Sequence, residues 1–331
     1  MHLRNVVRSV VLAAASVTSL AGISSAASSA TNWTVVVGGQ TPDISVYANG
    51  FFPRELTIHT GDTVAFQFAG YHNVSFLSGA SQPPFAIKDG DGYDGNPLVF
   101  FPAGANTYDG TGFHNSGVPP SDKPFSYSLT FIKPGRYDYA CTIHPGMTGI
   151  INVVDGAVSE TPQAALARGR AEQAATLAAG TKAYDGLNPQ TTGSNVLVTL
   201  VGDRQDRYSV LRFTHDPLVI AAGTTVTWTV KDPFEVHTVT FASGGQLPQF
   251  ITPQAQPGGP PKILLGALAL TPTSTTTYDG TGWVNSGLLA SPGAPGNSPS
   301  SFSLKFTKPG RYVYWCLVHD EAHQEGIIIV K

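Results

Sequence analysis

The stretch Tyr137-Asp-Tyr-Ala-Cys-Thr-Ile-His-Pro-Gly-Met147 places a thiol, an imidazole and a thioether within seven residues, directly after an aromatic run that reads as a strand. One further imidazole from elsewhere in the chain completes a His₂Cys set with a weak axial Met, the donor set that suits blue copper. His72, in Gly70-Tyr-His-Asn-Val-Ser-Phe76, is the candidate, which makes the first ligand set His72, Cys141, His144 and Met147. Each type has a role: the thiolate gives strong covalency, two imidazoles suit both copper oxidation states, and a distant thioether favours the reduced one. Zinc is the chemical rival because it also takes Cys and His, although Met is a poor zinc ligand.

Working outward, Gly61-Asp62 before Thr63-Val-Ala-Phe66 and Lys133-Pro-Gly-Arg136 before Tyr137 are turn signals at the starts of the two ligand-bearing strands. Around them, Trp33 to Val37, Ile44 to Tyr47, Leu56 to Ile58, Thr63 to Phe68, Val74 to Phe76, Ser126 to Phe131, Arg136 to Cys141 and Gly149 to Val154 are short β-branched or aromatic runs. Gly, Pro, Asn and Asp break them. Strands at that spacing predict a Greek-key sandwich.

With its turns and its Cys-x-x-His-x-x-Met spacing, the loop resembles the cupredoxins, the plastocyanin, amicyanin and azurin group, and is most similar to amicyanin. The resemblance implies a type 1 copper bound by these residues and single-electron transfer to redox protein partners.

The chain then repeats itself. Thr63-Val-Ala-Phe66 returns as Thr225-Val-Thr-Trp228, His72-Asn-Val-Ser-Phe76 as His237-Thr-Val-Thr-Phe241, Tyr108-Asp-Gly-Thr-Gly112 as Tyr278-Asp-Gly-Thr-Gly282, Asn115-Ser-Gly117 as Asn285-Ser-Gly287, and Lys133-Pro-Gly-Arg-Tyr137 as Lys308-Pro-Gly-Arg-Tyr312. A period of this length means duplicated domains, not a solenoid. The expected fold is all-β: two tandem Greek-key cupredoxin β-sandwiches, residues 31–155 and 195–331, joined by a helical linker over 156–194. In that linker Thr161-Pro162 supplies an N-cap and first turn, Gln163 to Ala179 is helix-forming, and Gly180 reads as the stop. The thin apolar stripe of this helix suits a strut or docking element.

The second copy keeps His237, Cys316 and His319 but has no Met, and its loop Cys316-Leu-Val-His-Asp-Glu-Ala-His-Gln-Glu-Gly326 is two residues longer. Aligning Gly149 with Gly326 puts Gln324 opposite Met147, which resembles the stellacyanin-like axial Gln and implies a lower reduction potential. His323 or Glu325 could approach the metal instead. His319-Asp-Glu-Ala-His323 lacks the Glu and the helix that a zinc-protease motif needs. Between first histidine and cysteine lie 68 residues in one copy and 78 in the other, so each copy carries an added loop, over the copper face or between the domains. His114 in that loop is a candidate for a further metal; His59 and His215 read as surface residues.

Whole-chain properties set the remaining expectations. Over 331 residues the chain is 41% apolar and only 12% charged, with net charge −3, which argues against a nucleic-acid partner or a basic membrane-binding face. His2, Arg4 and Arg8, an apolar run to Ile23 and small residues to Ala30 read as a signal peptide over residues 1–30. Export to the periplasm or outside the cell follows, with no stable membrane insertion after cleavage. An even cysteine pair in an exported chain is by default a disulfide, but Cys141 and Cys316 stand at matching places in the two copies, each three residues before a histidine. No His-x-His occurs, so a laccase-like cluster is not expected, and Ala140 and Trp315 stand where a nitrite reductase would place a histidine. A single-electron carrier is therefore expected over an enzyme. Copper delivery or storage, and a reductase or oxidase with an interface copper, are the alternatives.

Overall fold

The computed structural model describes residues 30–120 and 125–331, so the signal-peptide reading of residues 1–30 lies outside the described residues apart from Ala30. The chain is all-β around one long helix. In the first half, one sheet runs Thr107–Tyr108, Ser126–Phe131, Thr63–Phe68, Asn32–Val37, Phe51–Phe52 across its width; the other runs Glu55–His59, Thr148–Val154, Gly135–Ala140, Ser75–Phe76, His114–Ser116, Pro102–Ala103. Neighbours in each sheet are mostly distant in sequence, as in a Greek key. Alternate residues of these strands, among them Val35, Val64, Phe66, Phe76, Leu129, Tyr139 and Ile151, point into one core.

The second half repeats the plan. Asn195–Leu200 lies parallel to Thr225–Val230, as Asn32–Val37 does to Thr63–Phe68, and Gly310–Trp315 pairs with Glu325–Val330 as Gly135–Ala140 pairs with Thr148–Val154. Its core holds Trp228, Phe241, Phe306 and Tyr314. The Gly61-Asp62 turn works through the carboxylate: buried Asp62 accepts hydrogen bonds from Thr31 N at 2.7 Å, Trp33 Nε1 at 2.8 Å and His59 N at 2.9 Å. It thereby ties two segments, the first strand and the end of Glu55–His59, to the start of the strand that leads to His72.

The helix runs Pro162–Asp185, capped by Thr161, whose hydroxyl accepts from Ala164 N at 3.2 Å. Its end differs from the expectation at Gly180. That glycine lies inside the helix because a side chain there would meet Val46 Cγ1 at 2.3 Å, and one at Gly169 would meet the Phe52 carbonyl carbon at 2.5 Å. Both glycines are close-approach positions, and the chain leaves the helix only at Gly186. Ala165, Gly169, Thr176 and Gly180 form the buried face, with Leu166 and Leu177 packing beside Val36, Ala48 and Phe52. No described helix is long and apolar enough to cross a membrane.

The added loops do more than cover an end. Ala86–Asp89 and Gly92–Gly95 form a hairpin, Ile251–Gln254 and Lys262–Leu265 form another, and the two join in one four-stranded sheet through Leu264 opposite Asp94. Val46–Ala48 likewise pairs with Tyr208–Val210. Both sheets mix strands of the two halves. The repeated Asn-Ser-Gly has a local duty: Asn115 Nδ2 donates to the carbonyls of Leu98, Val99 and Phe101, closing the short helix Pro97–Phe100, and Asn285 does the same for Leu268, Ala269 and Thr271.

Candidate metal centres

His72 sits in the loop between Thr63–Phe68 and Ser75–Phe76, while Cys141, His144 and Met147 occupy the turn between Gly135–Ala140 and Thr148–Val154. That turn is closed by its own backbone: Cys141 N donates to Met147 O at 3.0 Å and Met147 N to His144 O at 3.1 Å. Gly146 makes the reversal at φ +88°, where a side chain is strained. The result brings His72 Nδ1 to 2.9 Å from His144 Nδ1, with Cys141 Sγ 3.5 Å from His144 Nδ1 and 4.0 Å from His72 Nδ1. All three residues are buried, as is Met147 among the core residues beside them.

The second copy builds the same cluster from His237, Cys316 and His319. Cys316 Sγ lies 3.4 Å from His319 Nδ1, and Gln324 Oε1 lies 3.0 Å from the Nδ1 atoms of both His237 and His319. Backbone geometry matches Gln324 with Met147, because Cys316 N donates to Gln324 O at 2.9 Å. His323 takes the place of Gly146, at φ +49°, and is exposed, as is Glu325. Of the three residues left open by the sequence, Gln324 alone brings a donor atom into the cluster.

Among the described residues, these are the two groups of His, Cys and acidic side chains whose ligand atoms all lie within 4.8 Å of one another. His114 joins neither: its Nε2 lies 3.2 Å from Thr107 O and its ring packs on Tyr108. His215 is exposed and His59 partly so. Both cysteines are free.

A fixed environment awaits each sulfur. Asn73 N donates to Cys141 Sγ at 3.5 Å, and Thr238 N to Cys316 Sγ at 3.3 Å. Asn73 also clasps the cysteine loop, accepting from Thr142 N at 2.8 Å and donating to Thr142 Oγ1 at 2.7 Å. Burial raises a thiol's pKa, yet the charges and hydrogen bonds of His144 and His72 outweigh it and draw Cys141 from 9.0 down to about 5; Cys316 is held well below its ordinary value by His319 and His237 against the same burial. Because the folded value is depressed, ionised Cys141 stabilises the fold above the unfolded thiol's pKa, and that contribution is lost as pH falls through about 5. In the metal-free chain we expect the near-ultraviolet thiolate absorption of both cysteines at pH 7, with the Cys141 share disappearing near pH 5 and unfolding at pH 7 abolishing it. A thiolate band that grows in only near pH 9 would contradict this.

One residue of the site has no counterpart in the sequence reading. Glu235 is buried and places Oε1 3.2 Å from His144 Nε2 and Oε2 3.2 Å from His319 Nε2. Burial alone would raise its carboxyl, but the two histidines outweigh burial and hold it well below the carboxylate range. His144 therefore presents no open edge: it is 5% exposed, its outer nitrogen faces Glu235, and Arg204 reaches Pro145 O at 3.3 Å. A sequence signal did exist. Nine positions separate Trp228 from His237 against six between Phe66 and His72, and Glu235 lies in the longer connection.

The donor set fits copper. Two imidazole nitrogens and a thiolate converge at 2.9–4.0 Å from one another, the separations expected of donors about 2.0–2.3 Å from a shared centre. No family model and no curated protein matches the chain. Solved structures similar to part of it include a reduced amicyanin variant, at 26% identity and TM-score 0.22, covering 37% of this chain and 82% of its own. The oxidised plastocyanin of Dryopteris crassirhizoma is similar at 22% identity and TM-score 0.23, covering 37% of this chain and 99% of its own.

Proposed function

We propose that the protein is an exported two-domain cupredoxin that carries single electrons between redox protein partners, with type 1 copper at both centres. The observation that carries this reading is the pair of His-Cys-His clusters, buried but for the partly exposed His319, each with its donor atoms drawn together. His72, Cys141, His144 and Met147 would hold the first ion; His237, Cys316, His319 and Gln324 the second. Copper bound there supplies a one-electron Cu(II)/Cu(I) couple. The protein's part is to keep the thiolates ionised, through imidazole neighbours and a backbone N–H, and to limit water at the donors, all of which are buried except the partly exposed His319. The loop closures from Cys141 to Met147 and from Cys316 to Gln324 fix the donors in advance, so a change of charge at the site requires little movement.

Visible and EPR spectra with a copper count test the reading. Two coppers per chain, an intense blue colour and two separate reduction potentials are expected, the Gln324 centre having the lower. Weak colour with rapid Cu(I) exchange would replace the reading by copper delivery or storage. More than two coppers, with turnover of nitrite or oxygen, would replace it by a reductase or oxidase.

A further inference from the structure

Each ligand histidine uses Nδ1 toward its cluster, which leaves Nε2 to be satisfied on the outside. For His144 and His319 the partner is the same group. Glu235 lies in the loop leading to His237, held there by Asp232, whose Oδ1 accepts from Phe234 N at 2.9 Å and Glu235 N at 3.2 Å. Arg204 fastens that loop to the first centre, donating to Pro145 O and Pro233 O, both at 3.3 Å, with its guanidinium 5.5 Å above the Phe234 ring. The carboxylate is 7% exposed and its two oxygens are used one per histidine.

We propose that Glu235 is the shared positioning residue of the two centres: one buried carboxylate fixes the outer nitrogen of a ligand histidine in each. This rests on the copper reading above. An outer carboxylate that accepts from a ligand imidazole keeps the proton on the far nitrogen and the inner lone pair on the metal side. A carboxylate can accept from both rings at once. An amide cannot: it has one carbonyl oxygen and one NH₂, so one histidine would face a donor, and its own proton would be forced onto Nδ1, inside the cluster.

Glu235→Gln is therefore expected to weaken metal binding about 10–100-fold at one centre and to leave the other near wild type, whereas Glu235→Ala weakens both. Anaerobic Cu(I) titration against a competing chelator reads these affinities. Proton–nitrogen NMR of the Cu(I)-loaded wild-type chain gives a measurement that does not depend on any variant: slowly exchanging, hydrogen-bonded Nε2–H groups are expected on both His144 and His319. Unchanged affinities at both centres in Glu235→Gln, equal weakening of both in that variant, or fast-exchanging Nε2–H groups in the wild type would overturn the shared role. Two ions bound in any of those cases would leave the copper reading standing. A wild-type chain that binds no Cu(I) would remove the copper reading and this inference with it.

Discussion

Cys141→Ser is expected to cost the chain one of its two metal ions and to leave the other in place. The serine oxygen is harder than sulfur and its hydroxyl is not ionised near neutral pH, whereas the site depends on a thiolate beside two imidazole nitrogens at 3.5 and 4.0 Å. Affinity at the first centre should fall by more than the ~10–100-fold that loss of an outer partner costs. The fold should survive, because Asn73 N and His144 can still hydrogen-bond to the oxygen. The second centre has its own sulfur, Cys316, with its own donor in Thr238 N at 3.3 Å, so the blue absorption should drop to the share of that site. Cys316→Ser is the mirror experiment. Metal counting after dialysis, alongside far-ultraviolet circular dichroism, decides the matter: loss of both ions or of neither from a folded Cys141→Ser chain would refute two separate thiolate centres.

The parts of this site that sequence made legible are those whose geometry is local. Cys141, His144 and Met147 share one turn whose hydrogen bonds join its own members, so their spacing is their structure. Aligning Gly149 with Gly326 found Gln324 for a physical reason: a side chain at either glycine would strike the ring of a strand tyrosine, Tyr139 or Tyr314, at 2.3 Å. The two loops are thus anchored at equivalent points, and the extra residues bulge before them. Glu235 was not legible, because its meaning depends on how one half docks on the other. Gly180 misled as a helix stop since propensity cannot see the Val46 side chain against it. The joining hairpins read as loop because strands such as Ala86–Asp89 are short, and Lys88 and Asp89 are exposed.

Phe241→Ala is expected to destabilise the whole described chain through a single transition, by about 3–5 kcal/mol. Phe241 is fully buried, and its ring lies 4.7 Å from Tyr278, 5.2 Å from Tyr314, 5.8 Å from Phe306 and 6.1 Å from Trp228. Four rigid aromatic neighbours leave little room for collapse into the vacated space, which places the cost toward the upper end. With ~2.1 cal/mol/K of unfolding entropy per residue, a single unit of this size shifts about 1.6 °C per kcal/mol, so the melting temperature should fall by roughly 5–8 °C. The more telling readout is how many transitions remain. Val46–Ala48 is paired with Tyr208–Val210, Leu264 with Asp94, and the long helix packs against Phe52 at Gly169 and against both Val46 and Tyr208 at Gly180. Losing the second core therefore strips partners from the first, including the carboxylate that holds His144. Calorimetry of the variant should show one transition at lower temperature, with the near-ultraviolet signals of both halves lost together. Two transitions, with only the lower one moved, would mean that the shared strands and Glu235 hold the halves too weakly to couple them, and that each core melts on its own.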